Sequence, residues 1–596
     1  MCGIIGYNGN RKSLPILIDG LKRLEYRGYD SAGIAYLENN KINIIKKAGK
    51  IINLDNSVNY NSNSNLGIAH TRWATHGVPN ETNAHPHQCG DITIVHNGII
   101  ENYEELKQIL LNNGYALKSQ TDTEIACGVI NLIYQKNKDI IKTIKECQNI
   151  FKGSYAFGIL VKDDNKLYCT RKDSPLIIGV GNNENFIASD IPAFLDKTNK
   201  YILLEENDIG IIEPNRITIL DNNLNIVNRR TYEYAYSYEQ ATKNGYEHYM
   251  LKEIHEQPEA IKNTLSEYLN DDLNKLIETI PSLKNYNNID IVACGSAYHT
   301  GLIGKSLIEN YAEIPVNVEV ASEYRYKKML NKDKKLVMLI SQSGETADTL
   351  ACLRLAKENN VDTLSIVNVM NSTIDRESNL VLYTKAGPEI AVATTKAYSA
   401  QVAMLSLIAL NLANENIDNN TKKEILNNIK GLPTLMEEII NRDYKTIAEA
   451  IYKNESMFFI GRLVDYALAM EGSLKIKEIS YIHSEAYAAG ELKHGTIYLI
   501  YEGTPVVGII TDNSIKEKTI SNIKEVKARG AKTIVITNDE IDNELFDYNI
   551  KIPKINEFLQ PLLTVLPLQM IAYETAKLRE CDIDKPKNLA KSVTVE

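Results

Sequence analysis

Apolar and polar positions alternate along this chain in two styles. From Gly3 to about residue 230, short β-branched runs such as ITIVHNG (92–98), AFGILV (156–161) and YILLE (201–205) are separated by helically spaced stretches, SLPILIDGLKRLEY (13–26) and DTEIACGVINLIYQ (122–135). That mixture predicts an α+β layered domain over residues 1–230. A Tyr- and charge-rich connection, RRTYEYAYSYEQATKNGYEHY (229–249), reads as a linker over 231–250. Beyond it the pattern is duplicated. NIDIVACGSAYHTGLIGKSLI (288–308) and SMFFIGRLVDYALAMEGSLKI (456–476) are both strand, Gly turn, helix. Each is followed by a strand and polar turn, LVMLISQSGETADTL (336–350) and TPVVGIITDNSIKEK (504–518), then by a third strand, VDTLSIVNV (361–369) and AKTIVITND (531–539). Strands alternating with helices at this spacing predict two doubly wound parallel-sheet α/β domains, at 251–425 and 440–583, with a tail over 584–596.

Composition narrows the classes. With 596 residues the chain is too long for one core, and 44 % hydrophobic with 24 % charged residues is ordinary globular composition. A formal net charge of −10 gives no electrostatic case for nucleic acid as a partner. The eight cysteines form no CxxC pair, which argues against a zinc ribbon or a disulfide framework and fits a reducing compartment. No apolar run has the length of a membrane span and no signal-peptide pattern is present, so a cytoplasmic protein is expected.

Candidate chemistry begins at the second residue. In MCGIIGY, removal of Met1 leaves Cys2 with a thiol and a free α-amino group. An α-amine ordinarily titrates at about 8, close enough to neutrality to act as base for its own side chain. The plain alternative is a small hydrophobe. HTRWATHG (70–77) places Arg72 in a Gly-bounded loop, suited to clamping an α-carboxylate. VHNGIIEN (95–102) ends a strand at Asn97-Gly98, where a side-chain amide and a backbone N–H could form an oxyanion hole. TDTE (121–124) opens a helix with Asp122, an acid able to hold an α-ammonium group. Singly, Arg72 could be a surface ion pair, Asn97-Gly98 a hairpin turn and Asp122 an N-cap. Taken with Cys2 they outline a hydrolase for the glutamine side-chain amide.

These segments, with LEYRGYDSAG (24–33) and NAHPH (83–87), resemble the glutaminase domain of class II glutamine amidotransferases, an N-terminal-nucleophile hydrolase fold. The resemblance implies that Arg72 and Asp122 bind the glutamine carboxylate and amino groups and that Asn97 and Gly98 form the oxyanion hole. It also implies that Thr75 and His85 line the pocket, that Arg27 supports the nucleophile, and that Trp73 gates an ammonia channel. The alternative for Trp73 is a buried core aromatic.

Ammonia needs an acceptor, which the tandem α/β pair should hold. SQSGET (341–346) lies between a buried strand and a helix, so its hydroxyls, Gly and helix N–H groups suit a phosphate cradle, and ACGSAYHTG (293–301) repeats the arrangement one strand earlier. The second copy has TDNSIKE (511–517) there, and Asp512 would repel phosphate, so the ligand is expected in the first copy only. In MEGSLKIKEISYIHSEAY (470–487), read as a helix, Glu471, Lys475 and Glu478 fall at i, i+4, i+7 on one face. An exposed ion-pair ladder is the alternative to a cleft. His494, in the Gly-bounded loop AAGELKHG, is a candidate acid–base group. Lys591 in the tail NLAKSV is either a solvated charge or, if desolvated, an amine able to attack a ketose carbonyl.

GSAYHTG, SQSGET, EIAVATTKAY (389–398), KIKEISYIHSEAYAAGELKHG (475–495) and the ending KNLAKSVTVE resemble the isomerising glutamine–fructose-6-phosphate aminotransferase family, whose two sugar-isomerase (SIS) domains match the duplication. The resemblance implies sugar-phosphate contacts at Ser296, Ser341, Gln342, Ser343 and Thr346, with Val392 and Thr394 nearby. It makes Lys591 the Schiff-base lysine and Glu478 the base between C1 and C2, assisted by Lys475 and Glu471. It brings His494 from a neighbouring subunit to open the ring, hence a homodimer with a shared sugar site. L-Glutamine and D-fructose-6-phosphate become the implied substrates and D-glucosamine-6-phosphate the product, for amino-sugar synthesis, with no metal or organic cofactor and no nucleic-acid or membrane partner. Ala297, Thr394 and Lys587 depart from the usual family residues. A different class II amidotransferase and a non-enzymatic sugar-phosphate sensor are the rival readings; the SIS pair with Lys591 speaks against the first, and Cys2 with Arg72, Asn97 and Asp122 against the second.

Overall fold

The computed structural model describes residues 2–74, 77–234, 242–269, 274–280, 283–330, 332–413, 415–542 and 544–593. The chain divides into two compact units, Met1–Ala241 with Ser592–Glu596, and Thr242–Lys591.

Gly3–Gly9, the strand that follows Cys2, is buried at every position. It sits inside an eight-stranded sheet, antiparallel to Leu66–Arg72 on one side and Glu184–Ala188 on the other. A strand covered on both faces carries a run of apolar residues rather than an alternation. A seven-stranded sheet that includes Ile92–Ile100 and Gly153–Val161 faces it. Ile4, Ile68, Val95, Leu160 and Ile187 fill the space between the sheets, each fully buried aliphatic side chain contributing about 1.5–3 kcal/mol. Helix Ser13–Leu24 covers the outer face of the first sheet, and helices Tyr103–Asn112, Asp122–Asn137 and Ile140–Ile150 cover the second. The unit is therefore four layers, helix–sheet–sheet–helix.

Two sequence expectations change here. Ile92–Ile100 does not end at Asn97-Gly98 but runs through it. Gly98 has φ +124°, and a Cβ there would lie 2.0 Å from the Ser154 carbonyl oxygen of the paired strand. The glycine serves a close strand approach instead of a hairpin turn. The stretch read as linker also begins with a strand, Thr231–Glu233, on the edge of the first sheet beside Lys200–Leu203.

The second unit contains two five-stranded parallel sheets of identical topology. The first has the spatial order Val316–Val320, Asn288–Ala293, Lys335–Ser341, Asp362–Val367, Leu380–Tyr383; the second has His483–Ala488, Ser456–Gly461, Pro505–Ile510, Lys532–Thr537, Tyr548–Lys551. In each, the order reverses between the first strand and the third, the switch point where open α/β sheets hold their ligands. Lys396–Leu412 is buried on every residue, and Gln560–Leu578 nearly so, as helices apolar all round must be. One core runs through both copies. The helix expected to reach residue 487 stops at Ser480, because Tyr481 turns left-handed (φ 60°). HSEAYA then pairs with Ser456–Gly461 as an edge strand.

Candidate active sites

In the first unit, Cys2 leads directly into the buried strand, so its backbone is fixed. Its carbonyl oxygen accepts from Arg27 Nε (3.2 Å) and Asn97 Nδ2 (3.0 Å), and its sulfur accepts from the Trp73 N–H at 3.3 Å. Arg27 is held in turn by Asp190, 3.1 Å from Nη1. Burial pushes the Cys2 thiol up, against the pull of the amino terminus, the Trp73 N–H, Arg72 and Arg27. Arg72 is buried at the end of its strand, where burial lowers it below the usual guanidinium range and Cys2, Asp122 and Asp30 oppose that fall. Trp73 is partly buried and meets Tyr29 edge-on at 5.9 Å.

Asp122 is not a cap. Thr121 caps the helix Asp122–Asn137 by accepting from the Glu124 N–H, and Glu124 reaches back to the N–H groups of Lys118 and Ser119. Asp122 is left at the positive end of the helix dipole, with Oδ2 accepting from the Ile100 N–H at 2.9 Å. Thr75 lies outside the described residues.

Four histidines underlie this site. His85 stacks on His70 at 4.1 Å and has His87 and His96 as ring neighbours. Burial drives His70 down to about 3 and His85 and His87 well below the usual range, so all three are neutral. His70 Nε2 lies 2.9 Å from the His96 carbonyl, which only accepts, so Nε2 carries the proton. The same proton faces Asn97 Oδ1 at 3.2 Å. That contact turns the Asn97 amide so that Nδ2 points at Cys2.

In the second unit, the first helix of each copy crosses the other. Helix Ser296–Ala312 contributes Ser296 and His299; helix Val464–Ser480 contributes Glu471, Lys475 and Glu478. Glu471 accepts from Ser296 Oγ at 3.0 Å and lies 2.8 Å from His299 Nδ1. Lys475 Nζ sits 2.5 Å from Glu478, 3.4 Å from Glu471 and 3.2 Å from Ser296 Oγ. The Glu471 and Lys475 side chains are 0 % and 1 % exposed, so the exposed-ladder alternative falls. Burial raises the Glu478 carboxyl, partly offset by Lys475.

The first copy's switch point lies between the ends of Asn288–Ala293 and Lys335–Ser341. Ser341 Oγ is 3.0 Å from Thr346 Oγ1 and accepts from the Gly344 N–H, while Ser343 Oγ accepts from the Glu345 N–H. Gly344 has φ +64°, and a Cβ there would strike Ser372 Oγ at 1.9 Å. Gln342 is partly exposed in the same turn. No Thr346 side-chain hydrogen bond caps helix Ala347–Glu358, so the turn faces the positive end of that helix.

The Lys591 side chain is 5 % exposed and pairs with Glu389, a residue that sequence reasoning did not single out. Desolvation was the expected route to a reactive amine; the structure buries the side chain and adds a carboxylate partner. Burial works against the Glu389 charge, but Lys591, Thr394 and the Ala397 N–H outweigh it and hold the carboxyl down to about 2. Thr394 Oγ1 donates to Glu389 and lies 3.4 Å from Lys591 Nζ, so a threonine hydroxyl serves here. Val392 is buried, with its N–H on the Asp584 carbonyl. His494 is exposed on a short turn, Leu492–His494, and takes no part in the Glu471–Lys475–Glu478 hydrogen bonds or ion pairs.

Comparison with known proteins follows the same division. A glutamine amidotransferase domain model matches residues 70–196, and a SIS domain model matches twice, at 282–411 and 450–579. The chain is 48 % identical over 611 residues to the glutamine–fructose-6-phosphate aminotransferase [isomerizing] of Caldanaerobacter subterraneus subsp. tengcongensis, covering 100 % of both chains. It is 46 % identical to the protein of that name from Clostridium perfringens, again over 100 % of both. The chain belongs to the isomerising glutamine–fructose-6-phosphate aminotransferase family. Among solved structures, the C-terminal domain of glucosamine-fructose-6-phosphate aminotransferase from Francisella tularensis aligns over 58 % of this chain and 100 % of its own, at 39 % identity and a TM-score of 0.54.

For this member of the aminotransferase family, the second SIS copy shows why its switch point differs from the first. Asp465, in the first turn of helix Val464–Ser480, accepts from the Thr511 N–H (2.8 Å), the Asp512 N–H (3.3 Å) and the Thr511 hydroxyl. The protein's own carboxylate fills the crevice. Asp465 adds its negative charge there to that of Asp512, and burial, reinforced by Asp512, pushes the Asp465 carboxyl up. His299 and Glu389 were the functional candidates missed. His299 follows Ser296 by three positions on one helix face, a spacing that could have found it. Glu389 meets Lys591 across 202 positions, which no local spacing reveals.

Proposed function

We propose that this chain transfers the amide nitrogen of L-glutamine to D-fructose-6-phosphate and isomerises the product to D-glucosamine-6-phosphate, releasing L-glutamate. The observation that carries the reading is the buried Lys591–Glu389 pair, in a chain that also holds Cys2 beside Arg72 and Asn97.

Glutamine binds with its carboxylate on Arg72 and its ammonium on Asp122. Once Met1 is removed, the Cys2 α-amine takes the thiol proton and the sulfur attacks the side-chain carbonyl carbon. The developing oxyanion takes hydrogen bonds from Asn97 Nδ2 and the Gly98 N–H. The C–N bond breaks as the nitrogen receives that proton, and water then hydrolyses the thioester to glutamate. Trp73 is the gate through which the released ammonia leaves, and Thr75 and His85 complete the pocket.

In the second unit, the sugar phosphate occupies the Ser296, Ser341, Gln342, Ser343 and Thr346 crevice. Glu389 takes one proton from the Lys591 ammonium as Nζ adds to C2, a second nitrogen proton passes to the C2 oxygen, and Glu389 returns the first to the hydroxyl so formed as it departs. Water leaves and a protonated imine remains, its charge still facing Glu389. Ammonia displaces Lys591 from C2. Glu478 moves a proton from C1 to C2, the raised carboxyl suiting a group that must hold a proton between two carbons. Lys475 and Glu471 keep that carboxyl placed. Amine–carbonyl chemistry of this kind runs on Lys and carboxyl groups alone.

His494 opens the sugar ring of a second subunit. Its exposure, beside the exposed Tyr498, Leu499 and Tyr501, supports a homodimer with a shared site. Among the described residues no helix is long and apolar enough to cross a membrane. The eight free thiols suit the reducing cytoplasm, the compartment we assign.

Incubation with both substrates should yield glutamate and hexosamine phosphate, and Lys591→Arg should lose the hexosamine while keeping basal glutamine hydrolysis. Folded wild-type protein that makes no hexosamine phosphate contradicts the proposal.

A further inference from the structure

The segment from Glu389 to Thr394 has no regular secondary structure, yet it carries Glu389, Val392 and Thr394. Other groups must therefore fix its backbone. Glu389 itself accepts from the Thr395 and Ala397 N–H groups, and the Asp584 carbonyl accepts from the Val392 N–H. The two N–H groups between them, of Ile390 and Ala391, donate to one oxygen of Glu253, at 2.5 and 3.1 Å. Glu253 belongs to helix Tyr249–His255, whose first N–H groups, Tyr249 and Met250, donate to the Asp584 carboxylate. One short helix thus joins the root of the tail that bears Lys591 to the segment that bears its partner.

Glu253 is 1 % exposed, and among the described residues its second oxygen has no hydrogen-bond partner. The nearby cations pair with other carboxylates: Lys591 with Glu389, and Lys396 and Lys252 with Glu256 at 2.7 and 3.2 Å. A buried carboxylate without a counter-ion is costly, and a carboxyl so placed takes up a proton. Burial, reinforced by the Glu389 charge, pushes Glu253 up to about 8.

We propose that Glu253 is a positioning residue for the amine–carbonyl step, a neutral carboxyl that fixes the Ile390–Ala391 backbone so that, of Glu253 and Glu389, only Glu389 faces Lys591 as a carboxylate. This rests on the reading that Lys591 forms the imine. An ionised Glu253 would place a second negative charge near Lys591 and hold its proton more firmly, slowing the attack that Glu389 assists.

The test uses the full chain and compares Glu253→Gln, Glu253→Ala and Glu253→Asp. Gln keeps an acceptor for the two N–H groups and cannot ionise; Asp keeps the acid but falls one methylene short. Hexosamine formation, its KM for fructose-6-phosphate, basal glutamine hydrolysis and borohydride trapping of the sugar on Lys591 are measured for each. Gln should stay within about 3-fold of wild type in kcat, whereas Ala and Asp should lose at least ~10-fold in kcat and in trapping rate. KM should move little, because the phosphate crevice is untouched, and basal glutamine hydrolysis should not change. Loss in Gln equal to that in Ala, or Ala and Asp both within 2-fold of wild type, overturns the proposal. Should Ala or Asp lower the melting temperature below that of the assay, Gln alone decides, and a 10-fold loss there is adverse. Wild type that yields no trapped adduct fails the Lys591 reading itself, a result distinct from either.

Discussion

At Glu389 the proposed proton acceptor and the amine are already in contact, so the residue can be tested without touching the phosphate crevice. Glu389→Gln should lower hexosamine formation by about 10²-fold, within the span of a lost general base, with basal glutamine hydrolysis unchanged. Equal loss of both activities would make Glu389 a fold residue only. In the first unit the neutral histidines set an acid limit. His70 is ordinary at 6.5 when unfolded and about 3 when folded. Its share of stability is thus complete above 6.5 and is lost as pH falls toward 3. Thermal melting of the amino-terminal unit's signal should fall progressively below pH 6.5, and a flat melting temperature down to pH 4 would contradict this. Cys2, Arg72, Asn97 and Asp122, the proposed nucleophile and its partners, could be singled out in the sequence because each stands in a short local motif. The histidine layer could not, since His70, His85, His87 and His96 meet only when strands far apart in the chain are laid side by side.

Among the elements, the two crossed helices Ser296–Ala312 and Val464–Ser480 carry the buried cluster of His299, Glu471, Lys475 and Glu478. The face shared by Glu471, Lys475 and Glu478 followed from spacing alone, because three residues on one helix need no tertiary knowledge. The end of that helix did not, because Tyr481 takes a left-handed turn with no glycine to announce it. The same helix bears Asp465, which burial raises to about 6 from an ordinary 3.8, against the pull of Thr511. Its contribution to stability is present below 3.8 and is lost as pH rises through 6. Asp465→Asn should therefore gain on wild type by roughly 3 kcal/mol between pH 4 and 7, the size of a two-unit shift. Equal melting shifts for both proteins over that range would rule out the buried carboxyl as the cause.

For the whole molecule, duplication of the strand–turn–helix pattern predicted the two parallel sheets, since identical alternations must fold to identical topologies. The division of labour proposed for them rests on where the copies differ, SQSGET against TDNSIKE, and the Asp465 carboxylate in the second crevice is what the turn sequences did not announce. The homodimer proposal has its own test at this scale. A Lys591→Arg protein and a His494→Ala protein should each be inactive in synthesis, while their mixed dimers should hold one working site. Co-expression should then restore about a quarter of wild-type activity, as random pairing of a two-fold dimer requires; no restoration would place both residues in one subunit's site.

The central claim is that nitrogen freed by Cys2 reaches the sugar carbon activated by Lys591. Glutamine labelled with 15N in its side-chain amide, given with fructose-6-phosphate and an excess of unlabelled ammonium, tests it by mass spectrometry of the hexosamine phosphate. The account predicts product that carries one 15N in nearly every molecule. Product carrying the solvent's unlabelled nitrogen would contradict it.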